Sequence, residues 1–463
     1  MPSLDPDDPF ATLRANVSQM TRSHPLGRVA EVSRNGFRVW GLSDHAQLGD
    51  ELVYEDTEGH ARRAEVSHLE AGSLWATPYA DASGLRMGMA VRPTGPASVS
   101  PHAGWIGRVV DPFGTPLDGR PLLPGLPVPL NAAPPAGARR RGMGARLRTG
   151  FAVLDTMLPL VRGQRIGLFA GSGVGKSTLI GSLARAMEAD VCVLALVGER
   201  GREVSDFVRK VLGPEGMART VLVAATADQP ANTRRRCAQT AMAVAEHFRD
   251  QGKHVLYLCD SITRLAEAHR EVATASGEAA SLRGHPPSLV PLLAGLSERA
   301  GPGEGGQGDI TAVFTVLVAG SDMEEPLADI MRGQLDGHVV LSREIAEAGR
   351  FPAVDVLRSV SRSLPGAASR SENALLTETR KILSAYDRNE LMVTSGLYER
   401  GSNPEIDRSL ALVPRLNEVF TAQGLPRATD GFRLLATILG RSYDPPSPTN
   451  PGRSEAAQQD QGG

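Results

Sequence analysis

A glycine-rich segment, AGSGVGKS, is the clearest chemical signal in the sequence, and it runs from Ala170 to Ser177. Glycines let backbone N–H groups wrap phosphate oxygens without clashes from Cβ atoms, and a helix that follows adds positive potential at its N-terminus. In such a loop Lys176 would place its charge on the β- and γ-phosphates, and the hydroxyl of Ser177 would bind Mg²⁺. The segment follows an apolar strand-like run and precedes a helical pattern, so it predicts a phosphate-binding loop (P-loop) for a nucleotide.

The first position of this loop is Ala170, where the pattern usually has glycine. The residues predicted to contact the nucleotide are Ala170, Gly171, Ser172, Gly173, Val174, Gly175, Lys176, Ser177 and Thr178.

Two further acidic residues follow apolar runs. Asp260 closes HVLYLCD, and a carboxylate at a strand end beside the P-loop strand is placed to order the water shell of Mg²⁺. Glu199 and Arg200 follow the run VCVLALV, where a carboxylate could polarise an attacking water. A charged surface turn is the alternative interpretation of this second pair.

The elements that must position these residues alternate between strand and helix from Thr149 to about Arg362. Apolar strands that alternate with helices predict a parallel sheet covered on both faces. The predicted strands are Arg165–Phe169, Val191–Val197, Thr220–Ala225, His254–Cys259, Ile310–Val318 and His338–Leu341. The predicted helices include Lys176–Ala189, Ala231–Gln251 and Ser261–Ser276.

The rest of the chain divides by composition. Short strand-like segments predict a small β-barrel or sandwich, a proline-rich stretch predicts a linker, and helical patterns dominate near the C-terminus. The predicted organisation is an N-terminal docking helix or arm at 1–24, a β-barrel domain at 25–95, a connecting segment and linker at 96–148, a P-loop core at 149–365, a helical domain at 366–440 and a disordered tail at 441–463.

Two segments outside the core have competing interpretations. Phe10, Leu13, Val17 and Met20 share one helix face, which predicts either a helix packed on its own domain or a docking helix for a partner. The basic run Arg139–Arg141 is interpreted as part of a solvated linker, with an anionic contact as the lesser alternative.

Composition excludes several classes of protein. The 50 Lys and Arg residues nearly balance 52 Asp and Glu residues, which argues against nucleic acid as the main partner. No apolar run approaches the length of a membrane span. The three cysteines are scattered and exclude a disulfide framework, and the start MPSLDPDDPF does not have the pattern of a secretory signal. We therefore expect a cytoplasmic protein.

Several longer segments resemble the rotary and secretion ATPases, that is, the F-type and V-type catalytic subunits and their secretion relatives. They are TGFAVLDTMLPLVRGQRIGLFAGSGVGKS, VGERGREV, the strand that ends at Asp260, PAVDVLRSVSR at Pro352–Arg362 and GRVVDPFGTPLDG at Gly107–Gly119. The resemblance covers roughly residues 25 to 440.

Three segments are similar to the flagellar and type III secretion export ATPases in particular. They are RGHPPSLVPLLAGLSERAG at Arg283–Gly301, the stretch Thr315–Asp355, and YERGSNPEID at Tyr398–Asp407. The acidic segment with which an ATP synthase β subunit touches its rotor has no evident match. The stretch from Asp322 to Ser363 most resembles the flagellum-specific forms.

This resemblance implies roles for individual residues. Glu199 corresponds to the catalytic carboxylate with Arg200 beside it as a further catalytic residue, and Asp260 to the aspartate of the Mg²⁺ shell. Arg362 corresponds to an arginine finger that reaches into the neighbouring subunit's site. Phe351 corresponds to an aromatic residue that stacks on adenine; without the resemblance it would be assigned to the core.

The resemblance also implies an architecture and partners. We expect a P-loop (RecA-like) α/β core with an N-terminal β-barrel and a C-terminal helical domain, assembled as a homohexamer that hydrolyses ATP with Mg²⁺. The expected partners are a stator-like regulatory protein at the N-terminal helix, a central stalk, membrane proteins of the export gate and chaperone–substrate complexes. Such a ring lies in the cytoplasm, peripherally associated with the inner-membrane export apparatus.

Three functions compete. The first is an ATPase that energises type III protein export, for flagellar assembly or for an injectisome. The second is a non-catalytic ring subunit of a rotary ATPase, but such relatives carry Gln in place of Glu199. The third is a hexameric nucleic-acid translocase, which the near-neutral charge and an aromatic-poor N-terminal region disfavour. We choose the first, with flagellar export as the preferred form.

Overall fold

The computed structural model of the protein describes residues 24–279, 284–318 and 323–445. The predicted helical stripe at residues 10–20 and the tail from residue 446 onward lie outside the described residues. The chain forms two compact units, one that ends at Ala97 and one that starts at Ser98. The finer predicted boundaries at 148/149, 365/366 and 440/441 stay predictions.

The first unit is a barrel. Its strands are β1 (Gly27–Val32), β2 (Phe37–Trp40), β3 (Asp50–Glu55), β4 (Ala61–Glu70), β5 (Ser73–Pro78) and β6 (Ala90–Pro96). Within the described residues these six strands close in the order β1-β2-β5-β4-β3-β6, and neighbours are antiparallel. Phe37 and Val39 are buried whereas Trp40 is exposed, as the alternation of side chains along a strand requires. The predicted barrel is confirmed.

The second unit is built on a larger sheet. The strands of this unit are β7 (Ser98–Val99), β8 (Val109–Val110), β9 (Val128–Pro129), β10 (Arg165–Ala170), β11 (Val191–Glu199), β12 (Thr220–Thr226), β13 (His254–Asp260), β14 (Gly301–Pro302), β15 (Asp309–Leu317), β16 (Gly337–Leu341) and β17 (Val354–Ser361). Strands β7 and β9 pair with each other in a separate two-stranded sheet. The order in the main sheet is β17-β16-β10-β15-β13-β11-β12-β8, and β14 pairs with β15.

The sheet is mixed rather than purely parallel. Strands β16, β10, β15, β13, β11, β12 and β8 run parallel to one another. The edge strand β17 is antiparallel to β16, and β14 is antiparallel to β15. The expectation of a parallel sheet is therefore correct for the centre and wrong at β17. Residues 191–197 of β11 are all buried, because the strand lies between two neighbours with both faces covered.

Helices cover the sheet and form the C-terminal region. Within the described residues they are α1 (Ala152–Thr156), α2 (Lys176–Ala186), α3 (Gly201–Asp206), α4 (Gly213–Met217), α5 (Ala231–Asp250), α6 (Ile262–Ala275), α7 (Leu289–Arg299), α8 (Pro326–Gln334), α9 (Arg343–Glu347), α10 (Arg370–Thr394), α11 (Pro404–Thr421) and α12 (Ala428–Leu439). A π-helical segment, Phe207–Leu212, joins α3 to α4, and short 3₁₀ turns occur at Ala103–Trp105 and Gly137–Arg139.

The C-terminal helices α10 to α12 confirm the predicted helical region. Helix α10 begins with a capping box formed by Ser369 and Glu372, and α12 ends at Gly440 with φ of 66°. Arg380 of α10 donates hydrogen bonds to the carbonyls of Val356 (3.0 Å) and Met157 (3.3 Å). These contacts fix the helical region against the edge of the sheet.

The basic run Arg139–Arg141 contacts the core through its side chains, although Arg139 and Arg141 remain exposed to solvent. Arg140 donates to the carbonyl of Ala300 at 3.1 Å, and Arg141 donates to Asp309 at 2.6 Å. Arg139 forms an ion pair with Glu304 at 3.1 Å. Earlier in the same stretch, β8 pairs with β12 as an additional strand of the main sheet. The proline-rich stretch is thus attached to the core through arginine contacts, and its regular structure consists of β9, which pairs with β7, and the 3₁₀ turn at Gly137–Arg139.

Candidate active site

The glycine-rich loop lies where the sequence predicts it, between β10 and α2. Gly173 and Gly175 have φ of 79° and 87°, a left-handed conformation that side chains with a Cβ rarely adopt. Val174 between them is buried and anchors the loop. Ser177 in the first turn of α2 is exposed and available to a ligand. The loop therefore presents backbone N–H groups and a hydroxyl at a helix N-terminus.

Lys176 and Asp260 meet at the carboxyl ends of the central strands of the sheet. The Lys176 ammonium donates to the carboxylate of Asp260, which is almost fully buried. Thr315 of β15 also donates to Asp260, at 2.8 Å from its Oγ1 to Oδ1. Strand β15 separates β13 from the P-loop strand, so the expectation that Asp260 ends the strand directly beside the P-loop strand is wrong by one strand. The Asp260 side chain nevertheless reaches the loop lysine.

These donors suit a magnesium ion. A hydroxyl on Ser177 and a carboxylate on Asp260 are hard oxygen ligands of the kind that Mg²⁺ prefers. Within the described residues, no group of three or more His, Cys, Asp and Glu side chains could hold a metal ion. Mg²⁺ is commonly held by one or two protein oxygens together with substrate phosphates and water. The site fits a metal that arrives with a nucleotide.

Glu199 ends β11 in an environment that makes it a stronger base than an ordinary carboxylate. Burial and a hydrogen bond with Glu203 raise the pKa of Glu199 to about 7, and the positive charges of Arg264 and Lys176 oppose this only in part. The Arg264 guanidinium lies 3.3 Å from the Glu199 carboxylate, and it donates to the carbonyl of Gly198 at 2.8 Å. A carboxyl group with a pKa near neutrality is suited to accept a proton from water.

Phe351 lies against the loop. Its ring would be 3.3 Å from a Cβ placed on Gly175, and its side chain is 46% exposed. The alternative assignment of Phe351 to the core is therefore wrong. Arg343, in the first turn of α9, also contacts the loop and donates to the carbonyl of Ser172 at 3.4 Å.

Arg362 lies at the opposite end of the strands from this loop. Its backbone N–H donates to the Asp336 carbonyl at 3.0 Å, and the N–H of Asp336 donates to Arg165 at the start of β10. The P-loop follows the other end of β10, at Ala170. Five steps of about 3.3 Å along a strand separate the two ends by roughly 16 Å. The side chain of Arg362 is exposed.

Comparison with known proteins identifies this arrangement. Residues 150–361 match the nucleotide-binding domain of the ATP synthase alpha/beta family, and residues 368–429 match the T3SS EscN ATPase C-terminal domain. The flagellum-specific ATP synthase of Bacillus subtilis is 43% identical over 411 residues, which are 88% of this chain and 93% of the relative. That of Caulobacter vibrioides is 41% identical, over 93% of this chain and 100% of the relative.

The chain belongs to the family of flagellum-specific and type III secretion ATPases. The SPI-2 type 3 secretion system ATPase of Salmonella typhimurium is also 43% identical, over 84% of this chain and 88% of the relative. The structure of the assembled ATPase EscN, from the type III secretion system of enteropathogenic E. coli, matches with a TM-score of 0.81. It is 34% identical over 89% of this chain and 100% of that one. A second structure, of EscN with its central stalk EscO, matches with a TM-score of 0.80.

This export ATPase is a nucleotide-binding enzyme that hydrolyses ATP. Within the described residues, no helix has the length and apolar character that crossing a membrane requires.

Besides Arg362, a second predicted site residue, Arg200, stands apart from the others. The side chain of Arg200 is exposed, and its ion pair is with Glu203, at 3.6 Å. The structure does not bring it to Lys176 or Asp260, whereas Glu199, Lys176, Asp260 and the loop converge on one edge of the sheet. A catalytic role of Arg200 stays a prediction.

Arg264 is the site residue that the sequence interpretation missed. It lies in the first turn of α6, four residues after Asp260, and its backbone N–H is capped by Ser261 at 3.3 Å. A residue in the first turn after a strand points back over neighbouring strand ends, which was the available signal. This turn reaches the end of β11 because β13 and β11 are neighbours in the sheet. The sequence does not show which strands are neighbours.

Proposed function

We propose that this chain is the Mg²⁺-dependent ATPase of flagellar protein export and that it works as a ring of six identical subunits. The observation that carries the proposal is the convergence of Lys176, Asp260 and Glu199 at the end of a P-loop sheet. The backbone and side chains of residues 170–178 would hold the phosphates of ATP. Ser177 and Asp260 would hold Mg²⁺, which neutralises charge on the β- and γ-phosphates.

Glu199 would orient and deprotonate the attacking water. Its raised pKa follows from burial, so the ionised carboxylate is a better proton acceptor than an exposed one would be. The ion pair with Arg264 fixes the direction of the carboxylate. Phe351, which lies over Gly175, would stack on the adenine. Arg200, exposed beside Glu199, would meet the nucleotide from the rim of the same site.

Arg362 would complete the site of a neighbouring subunit. The antiparallel course of β17 carries the chain from Phe351, beside its own P-loop, to Arg362 at the opposite end of the strands. The side chain is exposed there and about 16 Å from its own loop by the strand rise. An arginine finger stabilises charge on the γ-phosphoryl oxygens. In a ring, the strand ends that carry Arg362 in one subunit would face the P-loop of the next subunit. Every Arg362 would then lie at a neighbour's nucleotide.

Flagellar export is our choice over an injectisome. It is supported by the similarity to flagellum-specific relatives along nearly the whole chain. The injectisome alternative has support from the SPI-2 relative at a comparable identity. Deleting the gene distinguishes them: we expect loss of flagellar filaments with any injected effectors still secreted, and the reverse result would assign the chain to an injectisome.

The proposed partners follow from the family. A central stalk is supported by the similarity to EscN, which has been solved with its stalk EscO. A stator-like regulator would bind residues 1–24, and membrane proteins of the export gate and chaperone–substrate complexes would meet the ring in the cytoplasm at the inner membrane. We propose no nucleic-acid partner.

Substitution of the loop lysine tests the proposed chemistry. We expect Lys176→Ala to abolish ATP hydrolysis, because the phosphates lose the side-chain cation of the loop. The matched control is Lys210→Ala, which removes an exposed lysine paired with Asp206. Wild-type turnover by purified Lys176→Ala would overturn the assignment of the site.

A further inference from the structure

One short connection contacts both the P-loop and the C-terminal helical region. It runs from Ser342 to Ala353, between β16 and β17, and includes α9. On the P-loop side, Arg343 donates to the Ser172 carbonyl and the ring of Phe351 lies over Gly175. On the other side, Arg350 donates to the side-chain oxygen of Asn417 in α11. Arg350, which precedes the proposed adenine contact Phe351, is therefore hydrogen-bonded to the helical region.

Asn417 is a firmly held acceptor. Its neighbours Leu416 and Phe420 are buried in the core that α11 shares with the sheet. Helix α11 is fixed at its start by the Asn403 cap, which accepts from the N–H of Glu405 at 2.9 Å. The position of the amide thus follows the position of the whole helix.

Arg350 is in an unusual setting for an arginine. It is partly buried, and burial lowers its pKa while the charge of Asp355 opposes this. The hydrogen-bond acceptor that the structure gives to its guanidinium, among the described residues, is the neutral amide of Asn417. A partly desolvated cation loses more from the removal of its acceptor than an exposed one does. The Arg350–Asn417 bond should therefore be retained in preference to an alternative side-chain conformation.

We infer that Arg350 is a positioning residue that ties Phe351 to helix α11, so that the arrangement of the helical region sets how tightly Phe351 holds the nucleotide base. The inference rests on the proposed stacking of Phe351 on adenine. Because coupling between two sites is reciprocal, nucleotide that orders Phe351 also stabilises the Arg350–Asn417 bond. The helical region and the nucleotide can then influence each other without a contact between them.

The test compares a ligand that has a base with one that lacks it. Binding constants of the full-length chain are measured for a non-hydrolysable ATP analogue and for tripolyphosphate, both with Mg²⁺. We expect Arg350→Met to weaken the analogue roughly 10- to 150-fold, the range for loss of a charged hydrogen bond, and to leave tripolyphosphate within about twofold of wild type. The KM for ATP should rise by a larger factor than kcat falls.

Substitutions of Asn417 test the acceptor side of the same hydrogen bond. Asn417→Leu keeps the size but removes the acceptor, so it should reproduce the loss seen in Arg350→Met. The double variant should be no weaker than either single one, since both remove the same bond. Asn417→Asp keeps the acceptor and should bind the analogue at least as tightly as wild type. Arg388→Met, at an exposed position of α10, is the control.

Phe351→Ala separates failure of this inference from failure of the proposed function. If Phe351→Ala weakens the analogue and Arg350→Met does not, only the inference is overturned. If Phe351→Ala has no effect on the analogue, the adenine contact and the inference both fall. Equal weakening of the analogue and tripolyphosphate by Arg350→Met would show a general structural role and would also overturn the inference.

Discussion

The raised pKa of Glu199 predicts that ATP hydrolysis falls in mildly acidic solution. Burial is the largest cause of the rise to about 7, and the hydrogen bond with Glu203 is the next. Only the ionised carboxylate can take a proton from water, and kcat/KM reports the ionisation of the free enzyme. A glutamate with an ordinary pKa would remain ionised to about pH 5. Here the ionised form is lost as the pH falls through 7.

The size of the effect follows from the pKa. With a pKa of about 7, roughly half of Glu199 is ionised at pH 7 and about one tenth at pH 6. The value of kcat/KM at pH 6 should therefore be about one tenth of that at pH 8. The assay is steady-state phosphate release at several ATP concentrations with excess Mg²⁺, at constant ionic strength from pH 5.5 to 8.5.

The fall of kcat/KM at acidic pH, the acid limb of the profile, could also come from ATP, which titrates in the same range. The substitution Glu203→Gln tests whether the limb belongs to Glu199. The glutamine amide can donate to the Glu199 carboxylate and stabilise its charge, so the pKa should fall and the limb should move to lower pH. Glu215→Gln, at an exposed position of α4, should leave the limb in place. A profile that is flat from pH 6 to 8, or a limb that does not respond to Glu203→Gln, would refute the reasoning.

Other substitutions probe the remaining parts of the account. Glu199→Gln should bind ATP but turn over roughly 10² to 10⁴-fold more slowly, since an amide cannot accept the proton; failure to bind nucleotide would instead show a structural role. Arg362→Lys should also lose ATPase activity, because lysine restores the charge without the planar fork, and wild-type turnover would contradict this. Arg141→Met should lower the stability of the fold by about 1–2 kcal/mol through the lost contact with Asp309, measured by urea unfolding, and an unchanged midpoint would count against the arginine anchor. Deleting residues 2–22 should leave the ATPase folded and release the stator-like regulator, so full recovery of the regulator in a pull-down would place its docking site elsewhere.

The parts of the site that are local in sequence could be predicted from the sequence. The P-loop is a contiguous pattern between a strand and a helix, so its geometry at Gly173 and Gly175 follows from a few residues. Asp260 and Glu199 were found because each closes an apolar run. Their meeting at one edge follows from the parallel direction of β11 and β13.

The parts that depend on strand order could not be predicted. The side chain of Arg264 reaches Glu199 only because β13 and β11 are neighbours, and periodicity contains no information on which strands pair. The antiparallel direction of β17, which carries Arg362 away from its own loop, has the same cause. The contacts of the basic run at Arg139–Arg141 have the same kind of cause, because its acceptors are carbonyls and carboxylates at residues 298–309, far along the chain.

Mixing two inactive variants tests the shared site most directly. We expect Arg362→Ala and Glu199→Gln each to be inactive, because one lacks the finger and the other lacks the base. In mixed rings, some interfaces combine an intact Glu199 with a neighbour's intact Arg362. We expect ATP hydrolysis to return in part when the two proteins exchange subunits, as followed by labelling. ATP hydrolysis by assembled Arg362→Ala alone, at the wild-type rate, would contradict it.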